Sequence, residues 1–199
     1  MDLKGKKMLI FGLNGSGKTV WAKKQIRDNF KQPLIWCNPE HIKDWDKEPR
    51  GFIYSPTAMS EQGELLELKE FITGLKRVQT DTTGNYKPYD CVVFDDFDSI
   101  VNRQSLPYEL KDLNANNRVW KDLTVIFIIR RPEQLNTDIV ETCHYLVAFA
   151  IEGENTLSKL KNISKEFEIK VRQLVFGDYR CVVKPHGLMP YFEEKVKIK

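Results

Sequence analysis

Several kinds of chemistry are set aside by what this 199-residue sequence lacks. Its four cysteines, Cys37, Cys91, Cys143 and Cys181, form no C-x-x-C pair, and none of its three histidines stands beside a cysteine pair. A zinc site or a disulfide framework has no basis in that spacing, and the cysteines read as reduced core thiols. There are no internal repeats. The apolar runs, Val125 to Ile129 among them, are far short of a membrane span. Residues Met1 to Lys7 lead into the first apolar run without a secretory signal, so the expectation is a soluble, cytoplasmic protein with no membrane partner. Net charge is only +3, which neither establishes a nucleic-acid partner nor forbids one whose contacts gather on one surface.

What is present points to an α/β domain. Hydrophobic residues at 41% and charged residues at 30% suit a soluble globular chain, and the length suits one domain over residues 1–199. Apolar runs recur at Met8–Phe11, Leu34–Trp36, Phe52–Tyr54, Cys91–Phe94 and Val125–Ile129. Continuous rather than alternating apolar character marks strands covered on both faces, as in a parallel sheet between helices. Leu65, Leu68, Ile72 and Leu75 share one helical face, and Leu106, Leu110 and Leu113 another. The β-α-β order predicts a three-layer α/β fold. Residues 145–190 read as a C-terminal strand-helix-strand extension of the same sheet, antiparallel to it, with Leu157, Leu160 and Ile163 on its helix. Residues 76–88 read as a polar surface loop and Glu193 to Lys199 as a charged tail.

The most specific signal is Gly12-Leu13-Asn14-Gly15-Ser16-Gly17-Lys18-Thr19, a G-x-x-x-x-G-K-[ST] motif between an apolar strand and a helical stretch. Its glycines let backbone N–H groups surround phosphates, and the helix start adds its positive dipole end. Gly12, Asn14, Gly15, Ser16, Gly17, Lys18, Thr19 and Val20 are the expected nucleotide contacts, with Lys18 reaching the β- and γ-phosphates of ATP. The run Cys91-Val92-Val93-Phe94 then ends in Asp95-Asp96, on a strand expected to neighbour the P-loop strand. Thr19 and Asp95 are the candidate Mg2+ ligands, and Asp96 the group that orients or deprotonates the attacking water. The run Val125–Ile129 ends in Arg130-Arg131-Pro132, where either arginine would compensate charge on a transferring phosphoryl group or merely cover the sheet edge. Arg118 lies one helix earlier and would reach out of its own subunit.

Together these pieces resemble the FtsK–HerA superfamily of DNA-pumping ATPases, which includes viral genome-packaging ATPases. The resemblance rests on the P-loop, on Val92-Val93-Phe94-Asp95-Asp96-Phe97, and on Ile128-Ile129-Arg130-Arg131-Pro132 with the following Leu135 to Val140 and Tyr145 to Phe149. It implies a RecA/ASCE-like P-loop NTPase fold with a mainly parallel central sheet. It also implies ATP hydrolysis coupled to movement of double-stranded DNA, and a homo-oligomeric ring, pentamer or hexamer. A capsid portal or other viral or mobile-element protein would be a further partner, and the host cytoplasm the location if the protein is viral. In such rings an arginine placed like Arg118 serves the neighbouring subunit's nucleotide. Two positions depart from the family pattern. Asp96 stands in place of a glutamate one methylene longer, and Arg130 in place of a glutamine. Lys76, Arg77, Lys87 and Asn102-Arg103-Gln104-Ser105 are candidate DNA-facing loops, with an ordinary solvated surface as the alternative. A small-molecule or nucleotide kinase, a nucleotide-gated assembly protein and a helicase-loader type of AAA+ protein are the competing readings.

Overall fold

The central apolar runs become strands because side chains on alternate sides are buried under different helices, whereas the run Phe52–Tyr54 forms an edge strand with Phe52 and Tyr54 exposed. In the computed structural model, residues 1–45, 51–97, 106–131, 137–187 and 189–196 are described. Lys7–Phe11 (β1), Pro33–Trp36 (β2), Phe52–Tyr54 (β3), Cys91–Asp95 (β4), Thr124–Ile129 (β5) and Tyr145–Ala148 (β6) run parallel. Arg180–Pro185 (β7) and Phe192–Lys195 (β8) close the sheet antiparallel. The order is β3-β2-β4-β5-β1-β6-β7-β8.

Two cores lie on the two faces. Met8 and Ile10 of β1 and Ile126 and Ile128 of β5 pack with Trp21, Ala22 and Ile26 of Lys18–Asn29 (α1) and with Trp45 of Ile42–Trp45 (α2). Their alternates, Leu9, Phe11, Val125 and Phe127, pack under Glu61–Thr80 (α3), Tyr108–Asn116 (α4) and Thr137–Thr142 (α5). The same layer holds Leu160 of Glu154–Ile163 (α6) and Phe167 and Val171 of Lys165–Arg172 (α7). This is the expected three-layer sandwich.

Four details correct the sequence reading. β5 lies between β1 and β4, so the Asp-Asp strand is not the P-loop strand's immediate neighbour. The polar loop begins only after Thr80, because α3 continues through residues 76–80. There the buried Gln79 amide bonds to the Tyr89 backbone and the Trp120 carbonyl, so polar composition concealed an anchored turn of helix. The charged tail begins as β8, an edge strand whose alternate exposed positions carry charge. Finally, the extension is antiparallel only from β7 onward, since β6 runs parallel to β1, and two helices rather than one connect β6 to β7. Ser164 caps the second by accepting the Phe167 N–H, and Phe167 and Val171 are one turn apart on its buried side.

Candidate nucleotide site

The loop between β1 and α1 is built by backbone conformations that favour glycine. Gly15 and Gly17 have φ of 75° and 103°. Gly17 occupies the cap position of α1 and offers no side chain, leaving the first-turn N–H groups facing the loop. Lys18 folds back over this turn, its Nζ donating to the Gly12 carbonyl at 2.7 Å and the Leu13 carbonyl at 2.9 Å. Asn14, Gly15, Gly17, Lys18, Thr19 and Val20 line a cavity of about 410 Å³ together with Asp95 and Asp96. Gly12 and Ser16 are expected contacts that line the loop's inner side instead. A Cβ on Gly12 would come within 2.7 Å of Phe149 Cβ, so this glycine permits close passage of the chain just after β6. Ser16 Oγ is buried with no hydrogen-bond partner among the described residues.

The acids reach the same cavity from β4, across the intervening β5. Asp95 is buried; its Oδ2 accepts the Trp45 indole N–H at 2.7 Å and its Oδ1 the Asp96 N–H at 3.1 Å. Burial pushes its carboxyl above the usual carboxylate range, against the opposing effect of the Trp45 hydrogen bond. A buried carboxylate that is costly to ionise alone suits a divalent cation. Magnesium takes one or two protein oxygens beside phosphate and water, so Thr19 and Asp95 fit it without a larger protein cage.

The next residue, Asp96, holds φ at 57°, a left-handed conformation uncommon outside glycine. This turns its carboxylate toward the end of β5. There Arg130 grips both oxygens, Nε on Oδ1 at 3.0 Å and an NH2 nitrogen on Oδ2 at 2.9 Å. The two departures from the family pattern are therefore one structural unit. The shorter acid is met by a longer, charged partner from the adjacent strand. Arg131 is exposed and lines a smaller cleft of about 220 Å³ with Arg130, Leu13 and Asn14, on the outer side of the P-loop.

Arg118 lies elsewhere. Its NH2 group is 2.8 Å from His144 Nε2, while His144 Nδ1 faces the Lys7 N–H at 3.1 Å. That is the amino edge of the sheet, separated from the P-loop by the length of β1, about 16 Å. Within one subunit it does not serve this cavity. Burial, with the charges of Lys6, Arg118, Lys7 and His186, pushes the His144 imidazole down to about 4. A depressed base favours the folded state while neutral, and that advantage disappears as pH falls from about 6.5 toward 4. Thermal melts should therefore show lower stability at pH 5 than at pH 7.5, with a smaller difference in His144→Gln. An equal pH dependence in the variant would move the effect to other groups.

Sequence reasoning missed several residues that line the cavity: Lys23, His41, Asp44 and Tyr179. Glu40, shortly after the end of β2, is exposed, whereas the adjacent His41 places Nε2 3.9 Å from Asp96 Oδ2. The available signal was position, because residues just after a parallel strand face the ligand edge. Pro132, Leu135, Asn136 and residues 102–105 lie outside the described residues. Among the described helices none is long and apolar enough to cross a membrane.

The P-loop on β1, acids ending β4 and a strand inserted between them define the chain as having the P-loop ATPase fold. No protein-family model and no curated protein matches the sequence. Solved structures do. The DNA-packaging ATPase B204 of Sulfolobus turreted icosahedral virus superposes with a TM-score of 0.77 at 14% identity, covering 98% of this chain and 100% of that one. The genome-packaging NTPase B204 of Sulfolobus turreted icosahedral virus 2, in complex with ATP-gammaS, gives 0.69 at 14% identity over 100% of both chains. The conjugation coupling protein TcpA of pCW3, with ATPgS, gives 0.57 at 13% identity over 98% of this chain and 62% of that one. The likeness to packaging ATPases expected from the motifs is thus found again in the fold.

Proposed function

We propose that this chain is the ATP-hydrolysing motor of a DNA-packaging or DNA-pumping machine, acting on double-stranded DNA as a homo-oligomeric ring. One observation carries the reading: the P-loop, Asp95 and Asp96 line a single cavity, and Arg130, at the end of the strand between them, is hydrogen-bonded to Asp96. Loop N–H groups and Lys18 would hold the triphosphate, placing its γ-phosphate toward β4 and β5. Asp96 would orient the attacking water and accept its proton, with Arg130 fixing the carboxylate and lying close to the charge that develops on transfer. Magnesium, held by Thr19 and Asp95, would neutralise phosphate charge. In a ring, Arg118 would serve the adjoining subunit's nucleotide from the amino edge of its own sheet. Full-length overlap with B204 supports packaging over other motor roles, since that protein is a DNA-packaging ATPase of nearly the same extent.

The nucleotide-gated assembly reading draws on a specific feature, because Arg130 already occupies both oxygens of Asp96. One experiment separates the readings. Phosphate release from ATP, without any phosphate acceptor, is measured against double-stranded DNA concentration at two salt levels, with solution mass determined alongside. A motor shows DNA-stimulated turnover that weakens steeply with salt, in a multimer. Assembly without turnover supports the gate, and turnover only with an added acceptor supports a kinase.

A further inference from the structure

The sheet order gives the P-loop two unlike ends. On the β5–β4 side stand the acids and Arg130, where the reacting phosphate belongs. On the β6–β7 side stand two aromatic rings for which hydrolysis has no use. Tyr179, just before β7, lines the same cavity as Val20 and Thr19. A Cβ on Gly17 would lie 3.4 Å from Tyr179 Cδ1, so the ring rests against the glycine that starts α1. Tyr179 holds φ at 52°, and its carbonyl accepts the Val196 N–H at 2.8 Å, so the residue just after β8 helps keep it in this conformation. Phe176, three residues earlier in the α7–β7 turn, is 57% exposed. Its Cζ would lie 3.7 Å from a Cβ on Gly15. An exposed phenylalanine and a tyrosine in a left-handed conformation, both against P-loop glycines, are poor choices for folding alone.

We propose that Tyr179 and Phe176 form the nucleobase subsite of this pocket, taking the base by stacking without reading its edge. The inference rests on the nucleoside triphosphate reading above and adds where the base lies. A triphosphate whose γ end faces Asp95 and Asp96 directs its other end toward Val20 and these rings. The nearby carboxylates are already engaged: Asp178 with Arg180 at 3.2 Å, and Glu194 with the Trp21 indole N–H at 2.8 Å. Stacking accepts any base, because every base has a π-face. The site therefore selects for a base-bearing triphosphate without choosing among bases.

The test is calorimetric binding of ATP, GTP, CTP and inorganic tripolyphosphate to the full chain and to Phe176→Ala, Tyr179→Asn and Tyr179→Phe. Asparagine tolerates the left-handed backbone, so Tyr179→Asn removes the ring without adding strain. The expected result is ATP, GTP and CTP affinities within a few-fold of one another in the unaltered protein. Phe176→Ala and Tyr179→Asn each weaken all three by about five- to a hundredfold. Tyr179→Phe retains affinity, and tripolyphosphate binds every variant equally. Unchanged nucleotide affinity in both ring deletions overturns the subsite. So does an equal loss for tripolyphosphate, which would make the rings props for the loop, and so does a hundredfold preference for one base. Failure of the unaltered chain to bind either tripolyphosphate or ATP would instead bring down the nucleotide reading itself.

Discussion

Lys18→Ala should reduce ATP hydrolysis by at least about 10²–10³-fold, the loss seen when one preorganised donor to a developing charge is removed. Nucleotide affinity should fall as well, by roughly tenfold or more, because a charged hydrogen bond to phosphate is lost. The reason is local. Lys18 begins α1, and its ammonium already lies in the mouth of the loop, 2.7 and 2.9 Å from two loop carbonyls. It needs only to exchange those carbonyls for phosphate oxygens. Because the same contacts tie the loop together, melting temperature should be followed in parallel and Lys18→Arg used as a charge-retaining control. Unimpaired phosphate release from a folded Lys18→Ala protein would take the loop out of the chemistry altogether.

Asp96→Asn should have an effect of similar size: turnover lost by about 10²–10⁴-fold, as for removal of a general base, with ATP affinity nearly unchanged. Asparagine accepts the left-handed φ of 57°, so the fold should persist. Coupling to Arg130 gives the prediction a sharper form. Arg130→Ala removes both hydrogen bonds to a buried carboxylate, so it too should depress turnover. The double variant should be little worse than Asp96→Asn alone, because the two side chains act as one unit. Additive losses in single-turnover assays would show that Arg130 acts on the phosphate independently of Asp96. Normal turnover in Asp96→Asn would transfer the base role to another cavity residue, with His41 the nearest by position.

The phosphate cradle and the strands around it were legible because their physics is local. The glycine spacing and the apolar runs each state their conformation within a few residues. Tyr179 and the placement of β5 were not legible, since both depend on which strands meet in space. A motif at residues 12–19 does not announce a ring 160 residues later, and two apolar runs do not say which of them lies beside β1. Composition misled where burial was decided by hydrogen bonding. The end of α3 looks like loop until Gln79 is seen anchored to Tyr89 and Trp120. The Asp96–Arg130 pair lay between these cases. Each residue stood out as an oddity in its own motif, but only the register of Asp95 beside Ile128 brings them into contact.

The last described strand fastens more than the sheet edge. Glu194 holds the indole of Trp21, on the helix that grows out of the phosphate cradle, and Val196 holds the carbonyl of Tyr179. Trimming the polypeptide ahead of Phe192 would release both fastenings at once and loosen a pocket whose own motif residues are all intact. Shortened versions prepared for crystallisation or solution work should therefore keep residues 192–196, although nothing in their composition hints at such a clasp.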